Sequence, residues 1–174
     1  MGITEINSIF STEDFSFIKN EFEKSNFKDN LVWGDDVKHF SHPVKISEIN
    51  DSDIIKLISD TLKNINIAPL NKNVIKGCLF YKWEPGCYIP WHQDSNHSAG
   101  LTIYLNDDWS YENGGLFLYE ENNDIKTIIP QKNKAVLQVG GVPHSTTIVS
   151  KYSKPRKTIQ IFFDKFNEVD SYII

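Results

Sequence analysis

Cysteine is scarce in this 174-residue chain: only Cys78 and Cys87 occur, both in one short stretch. Two neighbouring thiols make no disulfide framework, so a reducing, cytoplasmic setting is expected. Basic residues are outnumbered, 18 to 23, for a formal net charge of -5. A chain without a broad cationic field has little with which to neutralise phosphates, and nucleic acid is not expected as a partner. Long apolar runs are missing as well. Nowhere do the roughly 18 uninterrupted apolar residues of a membrane span occur. Met1 to Phe10 also lacks the basic start and apolar run of a secretory leader. No membrane partner is expected. Internal repeats, low-complexity tracts and linkers are absent too.

What is present is enough apolar content, 40%, to bury a core without metal or disulfide staples. One domain over 1–174 is expected, helical in its N-terminal part, 1–70, and β-rich over 71–166. Ser11-Thr12-Glu13-Asp14 combines a hydroxyl cap with acidic residues suited to a helix start, and Phe15, Ile18 and Phe22 form one face. A second start, Asp51-Ser52-Asp53, precedes a stripe of Ile54, Ile55, Leu57, Ile58, Leu62 and Ile65, ending before Pro69. Between them, Leu31 to Ile49 has no clear period and reads as loop with one short strand. From Asn73 the period becomes two. Strands are expected at Val74 to Trp83, Gly100 to Leu105, Gly115 to Tyr119, Ile125 to Ile129, Ala135 to Val139, Val142 to Val149 and Lys157 to Phe163. Helices followed by many short strands point to a mainly β, α+β fold: a double-stranded β-helix, or jelly roll, backed by helices.

Within that β region, His92-Gln93-Asp94 sets two metal-ligand side chains two positions apart, on one side of an extended backbone. Alone, the pair reads more naturally as a polar cluster at a strand end. His144, in a later strand, supplies a third donor, and two imidazoles plus one carboxylate leave open positions on an octahedral iron(II). Arg156 opens the last strand, where a rigid two-pronged guanidinium matches a carboxylate. Arg156, Thr158, Gln160 and Phe162 share one strand face, expected to line the pocket, and the same alternation turns Thr102 and Tyr104 inward.

These residues resemble the 2-oxoglutarate and iron(II) dependent dioxygenases, and within them the prolyl 4-hydroxylase-like branch. The resemblance rests on Tyr81, Pro85-Gly86, Tyr88, His92-x-Asp94, Leu101-Thr102-Ile103-Tyr104-Leu105-Asn106-x-x-Trp109, Gly114-Gly115, His144, Arg156 and Phe162-Phe163-Asp164. It spans parts of Leu79 to Glu120 and Asn133 to Asp164. It implies that His92, Asp94 and His144 are catalytic and bind iron(II). It further implies that Arg156 and Tyr104 hold the far carboxylate of 2-oxoglutarate, and that Tyr81 lies near the metal-chelating end. Dioxygen is the other cosubstrate, with room for ascorbate as an accessory. The implied reaction is hydroxylation of an unactivated C–H bond, most naturally of a prolyl residue in a protein or peptide. Asp94 stands where halogenating relatives have a small residue, which favours hydroxylation.

Other readings stand beside these. The substrate is alternatively a free amino acid or a small metabolite being tailored, and the fold alternatively a non-catalytic metal-binding module. Tyr81 and Tyr104 also suit half-buried strand aromatics. Trp91, Trp109 and Tyr88 suit either substrate stacking or rim packing, and Gly114-Gly115 suits a plain turn. His39, His42 and His97 fit a substrate-closing region or ordinary loops. Cys78 is expected in the core.

Overall fold

Two caps set the helices. The Ser11 hydroxyl accepts from the Asp14 amide at 3.1 Å and opens α1 (Thr12–Lys24). The Asp51 carboxylate accepts from the Asp53 and Ile54 amides at 2.9 and 3.2 Å and opens α2 (Ser52–Asn64). The first buries Phe15, Ile18 and Phe22, the second Ile54, Ile58 and Leu62. The stripe on α2 is narrower than the sequence suggests. Ile54, Ile58 and Leu62 line up at four-residue spacing, while Ile55, turned by about 100°, is 37% exposed.

The structure, a computed structural model, describes residues 2–30, 44–65, 67, 75–94 and 97–163. His39, His42, Pro69, Val74 and Asp164, all named above, lie outside the described residues. Among those described, eleven strands run in order: β1 (Gly2–Ile6), β2 (Lys28–Asp29), β3 (Lys45–Glu48), β4 (Ile75–Trp83), β5 (Ile89–His92), β6 (Ala99–Tyr104), β7 (Phe117–Glu121), β8 (Asp124–Ile128), β9 (Ala135–Val139), β10 (His144–Thr146) and β11 (Arg156–Phe163). They form a seven-stranded sheet, β1-β9-β6-β11-β4-β3-β2, and a four-stranded sheet, β5-β10-β7-β8. Every strand pair is antiparallel. This is the jelly roll that the period-two pattern predicts. No helix among the described residues is long and apolar enough to cross a membrane.

Strand alternation sorts the large sheet into two chemistries. Its outer face carries Cys78, Phe80, Leu101, Ile103, Leu137, Ile159, Ile161 and Phe163, all buried against α1 and α2. Each such large apolar side chain contributes about 1.5–3 kcal/mol, so stability resides largely in this layer. The inner face is thereby free to carry Tyr81, Trp83, Thr102, Tyr104, Gln138, Arg156, Thr158 and Gln160. Most of these are polar or aromatic, as expected for a surface that binds something.

A candidate metal centre over a buried cation

Strands β5 and β10 pair with His92 opposite His144, so ordinary cross-strand geometry brings the imidazoles together. Their ring centroids are 4.1 Å apart. Asp94, just beyond β5, places Oδ1 3.7 Å from His92 Nε2 and Oδ2 3.8 Å from His144 Nε2. One donor atom from each of the three lies within 4.8 Å of the others. Nitrogen and oxygen donors sit about 2.0–2.2 Å from a zinc-sized ion, so a small contraction would bring all three onto one centre.

The ring tautomers follow from the backbone. His92 Nδ1 is 2.8 Å from the Pro90 carbonyl oxygen and His144 Nδ1 is 2.9 Å from that of Val142. A carbonyl only accepts, so each Nδ1 carries the proton and each Nε2 offers its lone pair to the cluster. Gln138, which the sequence reading passed over, donates from Nε2 to the same Val142 oxygen at 3.1 Å and lies 3.0 Å from His144 Nδ1. Phe117 stacks on the other side, centroids 5.3 Å apart. Burial, then the neighbouring His92, holds His144 below the ordinary imidazole range. Burial alone would raise the Asp94 carboxyl, but His97, His144 and His92 reverse this and hold it below the usual carboxylate range. Neutral imidazoles beside an ionised carboxylate are the protonation states that bind a metal.

On the inner face of the large sheet lies Arg156, only 1% exposed. Its guanidinium sits 4.6 Å from the Trp83 ring and 5.1 Å from the Tyr104 ring, a cation between two aromatic faces. Arg156 Nε and Nη1 and the Tyr104 hydroxyl are buried and meet no hydrogen-bond partner. No carboxylate among the described residues offsets the charge; burial pushes the Arg156 guanidinium down, and only Tyr104 opposes it. Burial likewise raises Tyr104, opposed by Arg156. Unsatisfied buried donors around a cation are costly, and an incoming carboxylate would satisfy them together.

Two further elements hold Arg156 in place. Asn106 grips the chain on both sides of it, its Nδ2 donating to the Pro155 oxygen at 3.0 Å and its Oδ1 accepting from the Lys157 amide at 2.7 Å. The sequence showed Asn106 only as part of the Tyr-Leu-Asn run, because a backbone clamp has no composition of its own. Gly115, at φ 59, is the second: a Cβ there would meet Arg156 Cδ at 2.8 Å. Gly114-Gly115 is thus more than a turn. Gly115→Ala is expected to cost about 1–2 kcal/mol for its left-handed backbone and to weaken the binding of any carboxylate held by Arg156. Thermal unfolding and a carboxylate titration check both.

The other residues singled out fall as follows. Tyr81 is buried on β4 opposite Thr158 of β11, and burial raises its hydroxyl pKa. Trp109 is half-buried; its indole N–H donates to the Gly114 oxygen at 2.8 Å, and Cζ2 would lie 3.5 Å from a Cβ on Gly115. Its position braces the loop over Arg156. Trp91 is 46% exposed beside His92, and Tyr88 is half-buried. Cys78 is in the core, where burial raises its thiol to about 12. His97, read as a loop histidine, lies beside Asp94, with Nε2 3.4 Å from Oδ2.

Three metal-type donors at the small sheet and a buried cation on the inner face of the large one make a centre suited to a metal ion together with an anionic chelator. The family model for the 2OG-Fe(II) oxygenase superfamily matches residues 77–164, half of the chain, and the chain belongs to that family. It is an oxygenase whose cofactor is iron(II) and whose cosubstrates are 2-oxoglutarate and dioxygen. No curated protein matches it. Solved structures do. A Pseudomonas putida prolyl-4-hydroxylase superposes with TM-score 0.78 at 16% identity, covering 94% of this chain and 93% of that one. A prolyl hydroxylase from Trichoplax adhaerens, in complex with a hypoxia inducible factor oxygen degradation domain peptide fragment, gives 0.74 at 19%, covering 94% and 83%. HygX from Streptomyces hygroscopicus, with nickel and 2-oxoglutarate bound, gives 0.71 at 11%, covering 94% and 82%.

Proposed function

We propose that this oxygenase hydroxylates an unactivated C–H bond, most favourably that of a prolyl residue in a protein or peptide. The observation that carries the reading is the pairing of the His92-Asp94-His144 cluster, held by the small sheet, with the Arg156 Nε and Nη1 and the Tyr104 hydroxyl, buried without partners on the inner face of the large sheet. In this reading His92 and His144 bind iron(II) through Nε2, and Asp94 binds it through its carboxylate. Arg156, in fork geometry, and Tyr104, through its hydroxyl, hold the far carboxylate of 2-oxoglutarate. Tyr81, across β11 from Tyr104, borders the chelating end. When bound, iron(II) supplies the activation of dioxygen, coupled to decarboxylation of 2-oxoglutarate to succinate and carbon dioxide. The protein's contribution is orientation: backbone carbonyls lock both imidazoles, and Trp83 and Tyr104 enclose the guanidinium. A metal-binding module without turnover would leave Arg156 unexplained.

The fold likeness to two prolyl hydroxylases supports a prolyl substrate. The likeness to HygX, solved also with hygromycin B bound, supports a second reading, tailoring of a small metabolite or free amino acid. Anaerobic addition of iron(II) and 2-oxoglutarate should give the weak visible charge-transfer band of the chelate; folded protein without it would count against the metal and anchor assignments. Succinate release should then rise with proline-containing peptides more than with free proline or hygromycin B. The reverse order would move the proposal to the second reading.

A further inference from the structure

His97 stands beside the cluster of three without belonging to it. Its Nε2 is buried, lies 3.4 Å from Asp94 Oδ2, and meets no partner in hydrogen-bond geometry. The ring is seated firmly: it packs on Phe162 with centroids 4.6 Å apart. Phe162 lies on β11 between Gly77 of β4 and Gly100 of β6. A Cβ on Gly100 would come within 4.0 Å of Asp94 Oδ2, so the β6 backbone closes the same side of the carboxylate.

Three imidazole nitrogens surround the Asp94 carboxylate: Nε2 of His92, His144 and His97. The first two carry no proton, because their Nδ1 atoms donate to Pro90 and Val142. Of the three, His97 is therefore the one able to donate. A carboxylate that binds a metal through one oxygen is held in place by a donor on the other. A small rotation of Asp94 would shorten 3.4 Å to the roughly 2.7–2.9 Å of a charge-assisted bond.

We infer that His97 is a positioning residue, donating Nε2–H to Asp94 Oδ2 and so turning Oδ1 toward the metal. The inference rests on the reading of His92, Asp94 and His144 as ligands. Its test uses the full chain as wild type, His97→Leu and His97→Gln. Leucine keeps apolar bulk against Phe162 and removes the donor; glutamine restores an N–H at similar reach. Manganese(II) is titrated and the free ion followed by electron paramagnetic resonance, alongside thermal unfolding of the metal-free proteins. His97→Leu should bind manganese(II) about 10–100-fold more weakly, with unfolding unchanged, and His97→Gln should recover most of the loss. In the anaerobic iron(II) and 2-oxoglutarate complex, His97→Leu should also move the charge-transfer band to longer wavelength, since a carboxylate relieved of its donor gives more charge to the metal. Leucine binding within about twofold of wild type would overturn the inference, as would a glutamine variant as weak as leucine, which would make the loss one of packing. Wild-type protein that takes up no manganese(II) would instead remove the ligand assignment on which the inference rests.

Discussion

Arg156→Met is expected to stabilise the metal-free protein while nearly abolishing its hold on 2-oxoglutarate. Arg156 is 1% exposed, with two guanidinium nitrogens unpartnered and no carboxylate among the described residues to offset it. A buried charge without its counter-ion opposes folding, and replacing buried ionic groups by apolar residues of similar volume often stabilises by about 1–4 kcal/mol. Taking about 1–2 kcal/mol, unfolding of a chain this size should rise by roughly 2–8 °C. Methionine suits the site because it would pack between the Trp83 and Tyr104 rings that now flank the guanidinium. The cost falls on the cosubstrate. Two charge-assisted hydrogen bonds, each about 1.5–3 kcal/mol, correspond to a loss of at least about 100-fold in affinity. Calorimetry on the metal-free variant and titration of the chelate band with 2-oxoglutarate measure the two effects separately. An unchanged 2-oxoglutarate requirement would place the anchor elsewhere; an unchanged or lower unfolding temperature would show that Arg156 is already compensated. Arg156→Lys should fall between, keeping the charge and losing the fork.

The opposite signs of those effects explain which parts of this protein are legible in its sequence. Apolar alternation reports the outer face of the large sheet faithfully, because burial there is non-specific and repeated: Leu101, Ile103, Ile159, Ile161 and Phe163 all face the helices as their period requires. Both helix caps are local chemistry and were readable at Ser11 and Asp51. Strands without a period were not. β1 pairs with β9 through backbone, Ile3 opposite Gln138, and shows no alternation; β5, Ile89–His92, is too short for any pattern. The long strand expected over Val142 to Val149 is three residues, His144–Thr146, with a register shift between His144 and Thr146 where it meets β5. At the site, side chains that make contact through their own chemistry could be named in advance, and the structure gathers His92, Asp94 and His144 within one cluster. Residues that act on backbone could not: Asn106 around Arg156 and Gln138 behind His144 are amides with no distinctive spacing. His97 was legible as a residue and illegible as a neighbour, since only the fold brings it to Asp94.

His144→Ala should eliminate metal binding and turnover while leaving the fold intact. The two expectations are separable because they draw on different parts of the fold. Stability resides in the layer formed with α1 and α2, where Ile18, Ile58, Leu101, Ile103, Ile159 and Ile161 are each fully buried. His144 belongs to the small sheet, packed on Phe117 and bonded to Val142. Truncating it opens a cavity with a cost of order 1–3 kcal/mol from lost contacts and the orphaned Val142 oxygen, though Gln138 still donates to that oxygen. Total stability of a domain, about 5–15 kcal/mol, absorbs that loss. Metal binding has no such reserve. With His144 removed, His92 and Asp94 are two donors on one short segment, and nothing among the described residues replaces the third. The far-ultraviolet spectrum should match wild type, and no chelate band should form with iron(II) and 2-oxoglutarate. Free imidazole, diffusing into the cavity left beside Phe117, should restore part of the band, because the lost group is a neutral ring whose other ligands remain in place. Wild-type metal uptake by the variant would remove His144 from the centre. Loss of metal that imidazole cannot rescue, together with a collapsed spectrum, would show that the histidine is needed for the fold instead.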